Sequence, residues 1–408
     1  MFENIIGHQT VVTRLRDDVG SGSLPRAVLL SGPGYTGKLT IALELARALT
    51  CDNQVAPWNC GCPHCREQRL LTHPETLLLG SRYFIQELVL TRRVLLETRS
   101  APGAYLFIRA MRKLTRRFDP ILWEGEENRI TKISQPVGEI EDALRRLEPP
   151  AELPESAELT KETEGLIGLA EKVAAAIPSD PIAIHHIRNA ASWAHLSAEG
   201  RNKVLIIENA DQMNESGRNA LLKTLEEPPP HVYFLLTTSR RSAMIATILS
   251  RVRDYRLAPR SVEEERRVME RIFRDQEQPE HSVRSYFLRS TFNHEMPMAV
   301  IVTHLLDDIA EGRHRGLGEL LEAMKSGEPK GVFRYFCEEL IKALRERLFQ
   351  VSDSDGDTAL ATTEILAELE RLVAEHVARV ETRNMSPRST AEALFLAFKR
   401  RYPTHPVG

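Results

Sequence analysis

Apolar residues along this chain follow two patterns, short unbroken runs and longer stretches with helical spacing. Short apolar runs bounded by turn residues predict buried strands, and helical spacing between them predicts packed helices. The predicted strands are Ala27–Leu30, Lys203–Ile207 and Tyr233–Thr238, and the predicted helices are Phe2–Leu15, Leu39–Leu49, Ile184–Trp193, Gly217–Leu225 and a short one ending at Arg251. This order predicts an α/β domain over residues 1–80 and 181–258.

The last third of the chain has only the helical pattern. Helices are predicted at Glu263–Phe273, Leu317–Met324, Gly331–Phe349 and Thr362–Val380, with a break at Ser352 to Asp357. We expect the final residues, Pro403 to Gly408, to be disordered, because unpaired chain ends seldom pack.

Residues 81–180 interrupt the α/β pattern with a charged segment that we expect to be a helical insertion. Nine Lys and Arg lie between Ser81 and Phe118 against two acids, whereas nine acids lie between Glu139 and Glu164 against three bases. Pro149 to Pro154 indicates a linker. The two charged faces either pair with each other or lie in solvent. Alternatively, the basic part is a surface that faces DNA.

Charge and hydropathy exclude some classes of protein. The 408 residues carry a formal net charge of −3, so any DNA contact must be local or shared with partners. The sequence has neither a run of 18 apolar residues nor a charged-then-apolar leader, and this predicts a cytoplasmic protein with no membrane partner.

A phosphate-binding loop follows the first predicted strand. Gly32, Gly34 and Gly37 allow a tight turn whose N–H groups can face phosphates, and Lys38 adds a positive charge. Position 39 usually carries the hydroxyl that ligates magnesium, but here it is leucine. Thr40, the nearest hydroxyl, is a further candidate, although it lies about 100° around the helix. The loop therefore suits ATP or ADP phosphates and is poorly built for magnesium.

The second predicted strand ends in a reduced Walker B motif. An active ATPase normally ends this strand with Asp-Glu, where the first acid holds magnesium and the second activates water. Here the pair is Glu208-Asn209. Glu208 could imitate the first role, but the amide of Asn209 cannot act as a base.

Four of the five cysteines crowd into residues 51–65, at Cys51, Cys60, Cys62 and Cys65. Four thiolates can surround one zinc ion, and a site with all ligands from protein is structural rather than catalytic. The alternative is four reduced thiols in a loop. His64 and His73 are nearby substitutes as ligands.

The order of these motifs resembles that of the bacterial clamp-loader AAA+ subunits, and among them most closely the delta-prime type of DNA polymerase III. The resemblance rests on the phosphate loop, the cysteine cluster, the Walker B strand, Leu221-Leu-Lys-Thr-Leu-Glu-Glu-Pro-Pro229 and Ser250-Arg251. It covers residues 2–80 and 184–258. It implies an AAA+ domain with a zinc module at 51–65, a helical lid over 259–322 and a helical collar over 323–408.

The resemblance also implies a role for Arg251 as an arginine finger that completes the ATP site of a neighbouring subunit. The segment Ile6-Gly7-His8 matches the part of the family that packs against adenine. Expected partners are gamma/tau and delta-type subunits, the sliding clamp and, through the complex, primer-template DNA. We expect no intrinsic catalysis. The alternatives are an active ATPase of the gamma/tau kind, or a zinc-stabilised nucleotide-binding adaptor outside replication.

Overall fold

A computed structural model of the chain describes residues 1–80, 82, 84–177, 182–198, 200–276, 282–290, 296–326, 329–351, 356–382 and 385–401. Most of the predicted break at Ser352 to Asp357, and the tail from Pro403, lie outside these residues. The chain divides into two compact units, Met1–Val283 and Arg284–Gly408.

The first unit alternates strands and helices. In chain order its elements are α1 Gln9–Gly20, β1 Ala27–Ser31, α2 Lys38–Thr50, α3 Pro63–Leu70, β2 Thr76–Leu79, α4 Ile85–Thr98, α5 Ala101–Thr115, α6 Glu127–Leu147, α7 Ser156–Ala175, α8 Ile184–His195, β3 Lys203–Ile207, α9 Glu215–Glu226, β4 Val232–Thr238, α10 Ala246–Leu249, β5 Arg253–Arg256 and α11 Val262–Ile272. The α/β prediction for this part of the chain is confirmed.

The five strands form one parallel sheet in the order β2-β3-β4-β1-β5. Its two faces bury different cores. Ala27 and Leu29 of β1 belong to one core, whereas Val28 and Leu30 belong to the other. Because all strands run the same way, β1, β3 and β4 end at the same edge, where ligands bind in sheets of this kind.

The described part of the proposed insertion forms helices α4 to α7, which cover one face of the sheet. Helices α4 to α7 share a core with β2 and β3, in which Phe107 and Leu144 are fully buried beside Leu77 and Leu205. The insertion is therefore an integral part of this unit.

Three details differ from the sequence predictions. The first helix begins at Gln9 instead of Phe2, because Phe2, Gly7 and His8 have positive φ angles that a helix cannot contain. Strands β2 and β5 were not predicted. β2 is only four residues long, although Leu77–Leu79 is an apolar run, and β5 buries a single side chain, that of Tyr255, so that β5 has no recognisable apolar pattern.

The secondary structure of the second unit is all helix in the part of the chain that the structure describes. It contains most of α12 Val283–Ser290, followed by α13 Met298–Glu311, α14 Arg315–Ser326, α15 Pro329–Val351, α16 Gly356–Thr382 and α17 Pro387–Arg401. These helices have a core of their own, which includes Phe333, Phe336 and Phe398. Among the residues that the structure describes, none of the helices combines the length and apolar character needed to cross a membrane.

Candidate phosphate-binding and metal sites

The phosphate loop lies between β1 and α2, at the carboxyl edge of the sheet. Gly32 has a φ of 150°, and a Cβ atom there would lie 2.4 Å from the carbonyl oxygen of Leu257. Only glycine allows this close approach. Gly37 precedes the first turn of α2, whose N-terminus therefore opens onto the loop, while Gly34 is exposed. The sequence correctly placed a loop of this shape before a helix.

Lys38 is buried beneath the loop. Its Nζ atom donates hydrogen bonds to the carbonyl oxygens of Gly32 at 2.8 Å and Pro33 at 2.5 Å. Burial lowers the pKa of Lys38 to about 8, although the carboxylates of Glu208 and Asp211 oppose that shift. The ammonium group therefore stays mostly protonated at neutral pH.

Two further residues hold the loop, and the sequence analysis assigned neither of them this contact. Arg260 donates to the carbonyl oxygens of Tyr35 and Thr36, both at 2.9 Å, and to that of Ile6 at 3.2 Å. The Nε2 atom of His8 lies 2.8 Å from the Thr36 carbonyl oxygen. Arg260, two residues before α11, thus ties the loop to the segment Ile6–His8.

The position for the magnesium hydroxyl is apolar and buried. Leu39 is 6% exposed and belongs to the core that α2 shares with β1. Thr40 is exposed, as expected from the 100° step between neighbours on a helix. A magnesium ion therefore finds no hydroxyl ligand at position 39.

The Walker B carboxylate is already engaged by arginines of the insertion. Glu208 Oε2 accepts a hydrogen bond from Arg117 Nη2 at 2.5 Å, and Oε1 accepts one from Arg82 Nη1 at 3.4 Å. The side chains of Glu208 and Arg117 are 9% and 4% exposed. A buried, paired carboxylate of this kind is a poor ligand for magnesium, because binding the metal would leave the buried guanidinium of Arg117 without its carboxylate partner.

The residues after Glu208 have their own partners. Asn209 has a left-handed backbone conformation, and its N–H group donates to Thr237 Oγ1 at 3.2 Å. Asp211 accepts from Thr238 Oγ1 at 2.7 Å and pairs with Arg240 at 2.9 Å. These contacts support an ordered strand end without a catalytic carboxylate next to Glu208.

All nine basic residues of 81–118 have partners within the first unit, but among these contacts only Arg112 pairs with acids of the 139–164 segment, Glu141 and Glu148. The partners are Glu87 and Glu208 for Arg82, Thr163 for Arg92, Asp275 for Arg93, the Pro154 carbonyl for Arg99, the Gln68 and Arg69 carbonyls for Arg109, Glu141 and Glu148 for Arg112, Glu87 for Lys113, the Thr76 carbonyl for Arg116 and Glu208 for Arg117. Some of these side chains therefore pair with carboxylates, whereas Arg92, Arg99 and Arg109 bond uncharged carbonyl or hydroxyl oxygens.

Arg251 lies just after α10 and is partly exposed. Its Nη1 atom donates to the Thr247 carbonyl oxygen at 2.8 Å, and its Nη2 atom pairs with Glu226, the last residue of α9. The side chain is 30% exposed and that of Glu226 is 49% exposed. The ion pair is thus accessible to solvent, and screening keeps it weak.

The four clustered cysteines meet as the spacing predicted. Their sulfur atoms all lie within 4.8 Å of one another, with Cys51 to Cys60 at 3.7 Å and Cys51 to Cys62 at 4.0 Å. Tetrahedral zinc with Zn–S bonds of 2.3 Å places sulfurs ~3.8 Å apart. The cluster could therefore hold one zinc ion.

Supporting groups surround the cluster. The backbone N–H of Cys65 donates to Cys62 Sγ at 3.4 Å, and that of Asn53 donates to Cys51 Sγ at 3.3 Å. Arg47, which is 1% exposed, donates to Cys65 Sγ at 3.0 Å and to Glu44 at 2.7 Å. Such outer contacts orient ligands and stabilise thiolate charge.

His64 and His73 form a hydrogen bond with each other. His64 Nδ1 lies 3.0 Å from His73 Nε2, and His73 Nδ1 accepts the N–H of Glu75 at 3.1 Å. Burial, with the repulsion of His64, lowers the pKa of His73 to about 4, so that it is neutral. The two rings contact each other next to the cysteine loop, and neither belongs to the four-sulfur cluster.

Comparisons with known proteins match these motifs. A family model described as "DNA polymerase III, delta subunit" matches residues 7–89 and 159–261. The tau subunit of DNA polymerase III from Escherichia coli K12 is 24% identical over 276 residues, which are 67% of this chain and 28% of tau. The delta′ subunit from Haemophilus influenzae is 42% identical over 65 residues, which are 16% of this chain and 20% of delta′. The chain is a relative of the bacterial clamp-loader subunits.

This clamp-loader relative matches only part of each protein, at most 28% of the length of the tau and delta′ subunits just named. Among solved structures it is similar to a DNA polymerase III gamma subunit-related protein of Thermotoga maritima. The identity is 18% and the TM-score 0.27, over 53% of this chain and 79% of that one. That likeness is too low to add to the family assignment.

The family match omits residues 90–158, which are the middle of the insertion. Arg117, which pairs with Glu208, lies inside that segment. This chain therefore carries, within its insertion, an arginine that forms an ion pair with the Walker B acid, Glu208.

Proposed function

We propose that this chain is a subunit of a replicative clamp-loader complex, like delta-prime of DNA polymerase III, that does not hydrolyse ATP. It assembles with gamma/tau and delta-type subunits and helps them to load the sliding clamp on primer-template DNA. The sequence similarity to clamp-loader subunits supports the proposed assembly with gamma/tau and delta-type subunits. The state of the nucleotide site supports the absence of hydrolysis.

The ion pair between Glu208 and Arg117 carries this proposal. Hydrolysis at a Walker B motif needs one acid for magnesium and another for water. Here the first acid is buried with an arginine at 2.5 Å, and the second position is Asn209. Leu39, buried in the core, replaces the hydroxyl of the loop. Three separate features thus oppose the same chemistry.

In this proposal Arg251 acts on the ATP site of the neighbouring subunit. An exposed guanidinium beside a short helix can reach a second protein, and paired donors suit the charge that spreads over a transferred phosphoryl group. The weak pair with Glu226 leaves the side chain available.

The cysteine cluster is proposed to hold one structural zinc ion. All four ligands come from the protein, so no position remains open for a substrate. Zinc then stabilises the loop between α2 and α3.

The similarity to tau, which extends over 67% of the chain, favours a second candidate, an active ATPase of the gamma/tau kind. Leu39 and Asn209 oppose it. An ATPase assay of the isolated protein separates the two, because turnover of roughly 1 s⁻¹ or faster, ordinary for an enzyme, would establish the second candidate.

Capture of clamp-loader subunits tests the assembly itself. The tagged full chain should retain gamma/tau and delta-type subunits from the same bacterium when the purified proteins are mixed. If neither subunit is retained, the chain is an adaptor outside replication, and the proposed function is wrong.

A further inference from the structure

A cluster of five charged side chains joins the insertion to the Walker B strand. We call it the insertion charge cluster. Its members are Arg82, Glu87, Lys113, Arg117 and Glu208, and they are linked by Arg82–Glu87 at 2.6 Å, Arg82–Glu208 at 3.4 Å, Arg117–Glu208 at 2.5 Å and a Lys113–Glu87 pair. The cluster contains three cations and two carboxylates, so that it keeps a net positive charge.

Arg117 is the fixed cation of the cluster. Its Nη1 atom donates to the Leu79 carbonyl oxygen, and its own carbonyl oxygen accepts the indole N–H of Trp123 at 2.8 Å. The guanidinium lies 5.7 Å from the centre of the Phe84 ring. Burial lowers the pKa of Arg117 to about 10 against the attraction of Glu208, so that it remains charged at neutral pH. It cannot turn away without leaving Glu208 unpaired.

Glu208 is fixed just as firmly. Gly80, with a φ of 95°, brings the end of β2 so close that a Cβ atom would lie 2.1 Å from the Glu208 carbonyl oxygen. The Glu208 N–H also donates to the Leu79 carbonyl oxygen at 2.9 Å. Backbone and side chain are therefore both held by β2 and the insertion.

Arg82 extends the cluster toward the phosphate loop. Its side chain is 24% exposed, whereas that of Arg117 is 4% exposed. The loop residue Tyr35 donates its hydroxyl to Gln86 at 3.2 Å, which brings the start of α4 against the loop. Attraction also links Lys38 to Glu208, so the cluster and the loop share one electrostatic environment. Arg82 is thus a partly exposed cation that interacts electrostatically with the loop residue Tyr35.

A divalent cation does not fit this arrangement. Magnesium is bound through carboxylates and waters, with a loop hydroxyl at phosphate sites. Here the carboxylate is shared by two arginines, the hydroxyl is replaced by Leu39, and the neighbouring cluster is net positive. A doubly charged ion would meet repulsion, whereas a polyphosphate would meet attraction.

We propose that this chain binds the polyphosphate of a nucleoside di- or triphosphate at its phosphate loop without a divalent cation, with Arg82 and Lys38 supplying the positive charge. The insertion then provides the charge that magnesium provides at catalytic sites. This goes beyond the proposed function and shares with it only the premise that the loop does not hydrolyse ATP.

Titration calorimetry of the full chain with ADP tests the proposal, once in excess magnesium chloride and once in EDTA. The two dissociation constants should agree within about twofold, because no metal–ligand contact is lost. Arg82→Gln should weaken ADP binding in EDTA by about tenfold, the effect of losing one charge-assisted hydrogen bond. Arg92→Gln is the matched control, since this insertion arginine bonds Thr163 and Thr160 instead, and its affinity should be unchanged.

Three outcomes would overturn the proposal: no ADP binding in either buffer, a loss of tenfold or more in EDTA with the unchanged protein, or equal affinities for Arg82→Gln and Arg92→Gln. Thermal melting of each variant verifies that it is folded. Capture of clamp-loader subunits is measured on the same preparations. Loss of ADP binding with capture intact would leave the proposed function standing, whereas loss of capture alone would leave the phosphate site standing.

Discussion

At the scale of single residues, Arg251 forms an exposed ion pair, whereas Arg117 forms a buried one. Arg251 bonds one helix carbonyl and an exposed glutamate. Arg117 is buried among a carboxylate, a carbonyl oxygen and two aromatic rings. Exposed ion pairs contribute about 0–1 kcal/mol, whereas breaking a buried pair costs about 3–5 kcal/mol. The first arginine can therefore move to a partner, and the second cannot.

Arg251→Ala should leave folding and complex assembly intact and lower ATP turnover at the adjoining subunit by up to about 10³–10⁵, the range for arginine fingers. Arg251→Lys should rescue poorly, because an ammonium lacks the planar fork of donors. The measurement is steady-state ATPase of the reconstituted complex with DNA and clamp.

Arg256→Ala is the matched control, since that side chain is 70% exposed on β5 and pairs with Asp254. It should leave turnover unchanged. If Arg251→Ala in an intact complex behaves like this control, Arg251 is an ordinary surface residue.

Restoring the two missing catalytic groups should not restore hydrolysis. Leu39→Thr with Asn209→Glu supplies a hydroxyl and a base, yet Glu208 remains bonded to Arg117 at 2.5 Å. A phosphate-release assay on the double variant should stay at background in magnesium and ATP. Turnover of roughly 1 s⁻¹ would show that the ion pair does not block the site.

At this scale the sequence predicted the residues that belong to local motifs. Lys38, Glu208 and the four cysteines are candidates that the sequence can indicate, because each motif lies within a short segment of the chain. Arg117 pairs with a residue 91 positions away, and Arg260 bonds the loop from 224 positions away. Such contacts exist only after folding, and neither residue carries a pattern that marks it.

At the scale of elements, α3 and the loop before it form the cysteine cluster proposed to hold zinc. Cys62 precedes the first turn of α3, and Pro63 occupies that turn, where a missing N–H has no cost. The helix start thus positions Cys65 beside Cys62. A short helix of eight residues depends on this anchoring, since isolated helices of that length are unstable.

Cys62→Ser should release the metal and reduce stability, because binding free energy at a closed site is folding free energy. A loss of about 3 kcal/mol would lower the midpoint of thermal unfolding by roughly 6–12 °C. Elemental analysis of protein prepared without chelators should give about one zinc per chain before the change and none after it.

Cys337→Ala serves as the comparison, since Cys337 lies in the core of the second unit. It should retain its zinc even if stability falls. Absence of zinc from the unchanged protein would remove the metal site altogether.

The elements with strong apolar patterns were the ones that the sequence predicted well. β1, β3 and β4 are buried along nearly their whole length, and their runs of Val, Leu and Ile are plain. β5 reads Arg-Asp-Tyr-Arg and becomes a strand only because it pairs with β1. Tertiary pairing decided that element, not its own composition.

At the scale of the whole molecule, the two units have separate cores. The first contains the sheet with the insertion packed on one face, and the described part of the second has a core between helices that includes five Phe and Tyr side chains. The predicted lid over 259–322 and collar over 323–408 remain predictions. No change of composition marks residue 283, so the sequence could not indicate this division.

Residues 1–283 should fold when expressed alone and retain one zinc, because both cores around the sheet lie within them. Removing residues 90–158 from that fragment should prevent folding, since it uncovers Leu77 and Leu79 and leaves Glu208 without Arg117. Circular dichroism melting curves compare the two. A cooperative transition in the shorter fragment would contradict this account of the insertion.

The Arg117–Glu208 pair also limits how this protein can change by descent. From the present sequence, a return to magnesium chemistry needs changes at positions 39, 117 and 209. Replacing Arg117 first leaves a buried carboxylate and costs about 3–5 kcal/mol, a large share of the 5–15 kcal/mol that stabilises most proteins. On the proposed function, the buried pair therefore makes the change at position 117 the costly step in any return to hydrolysis.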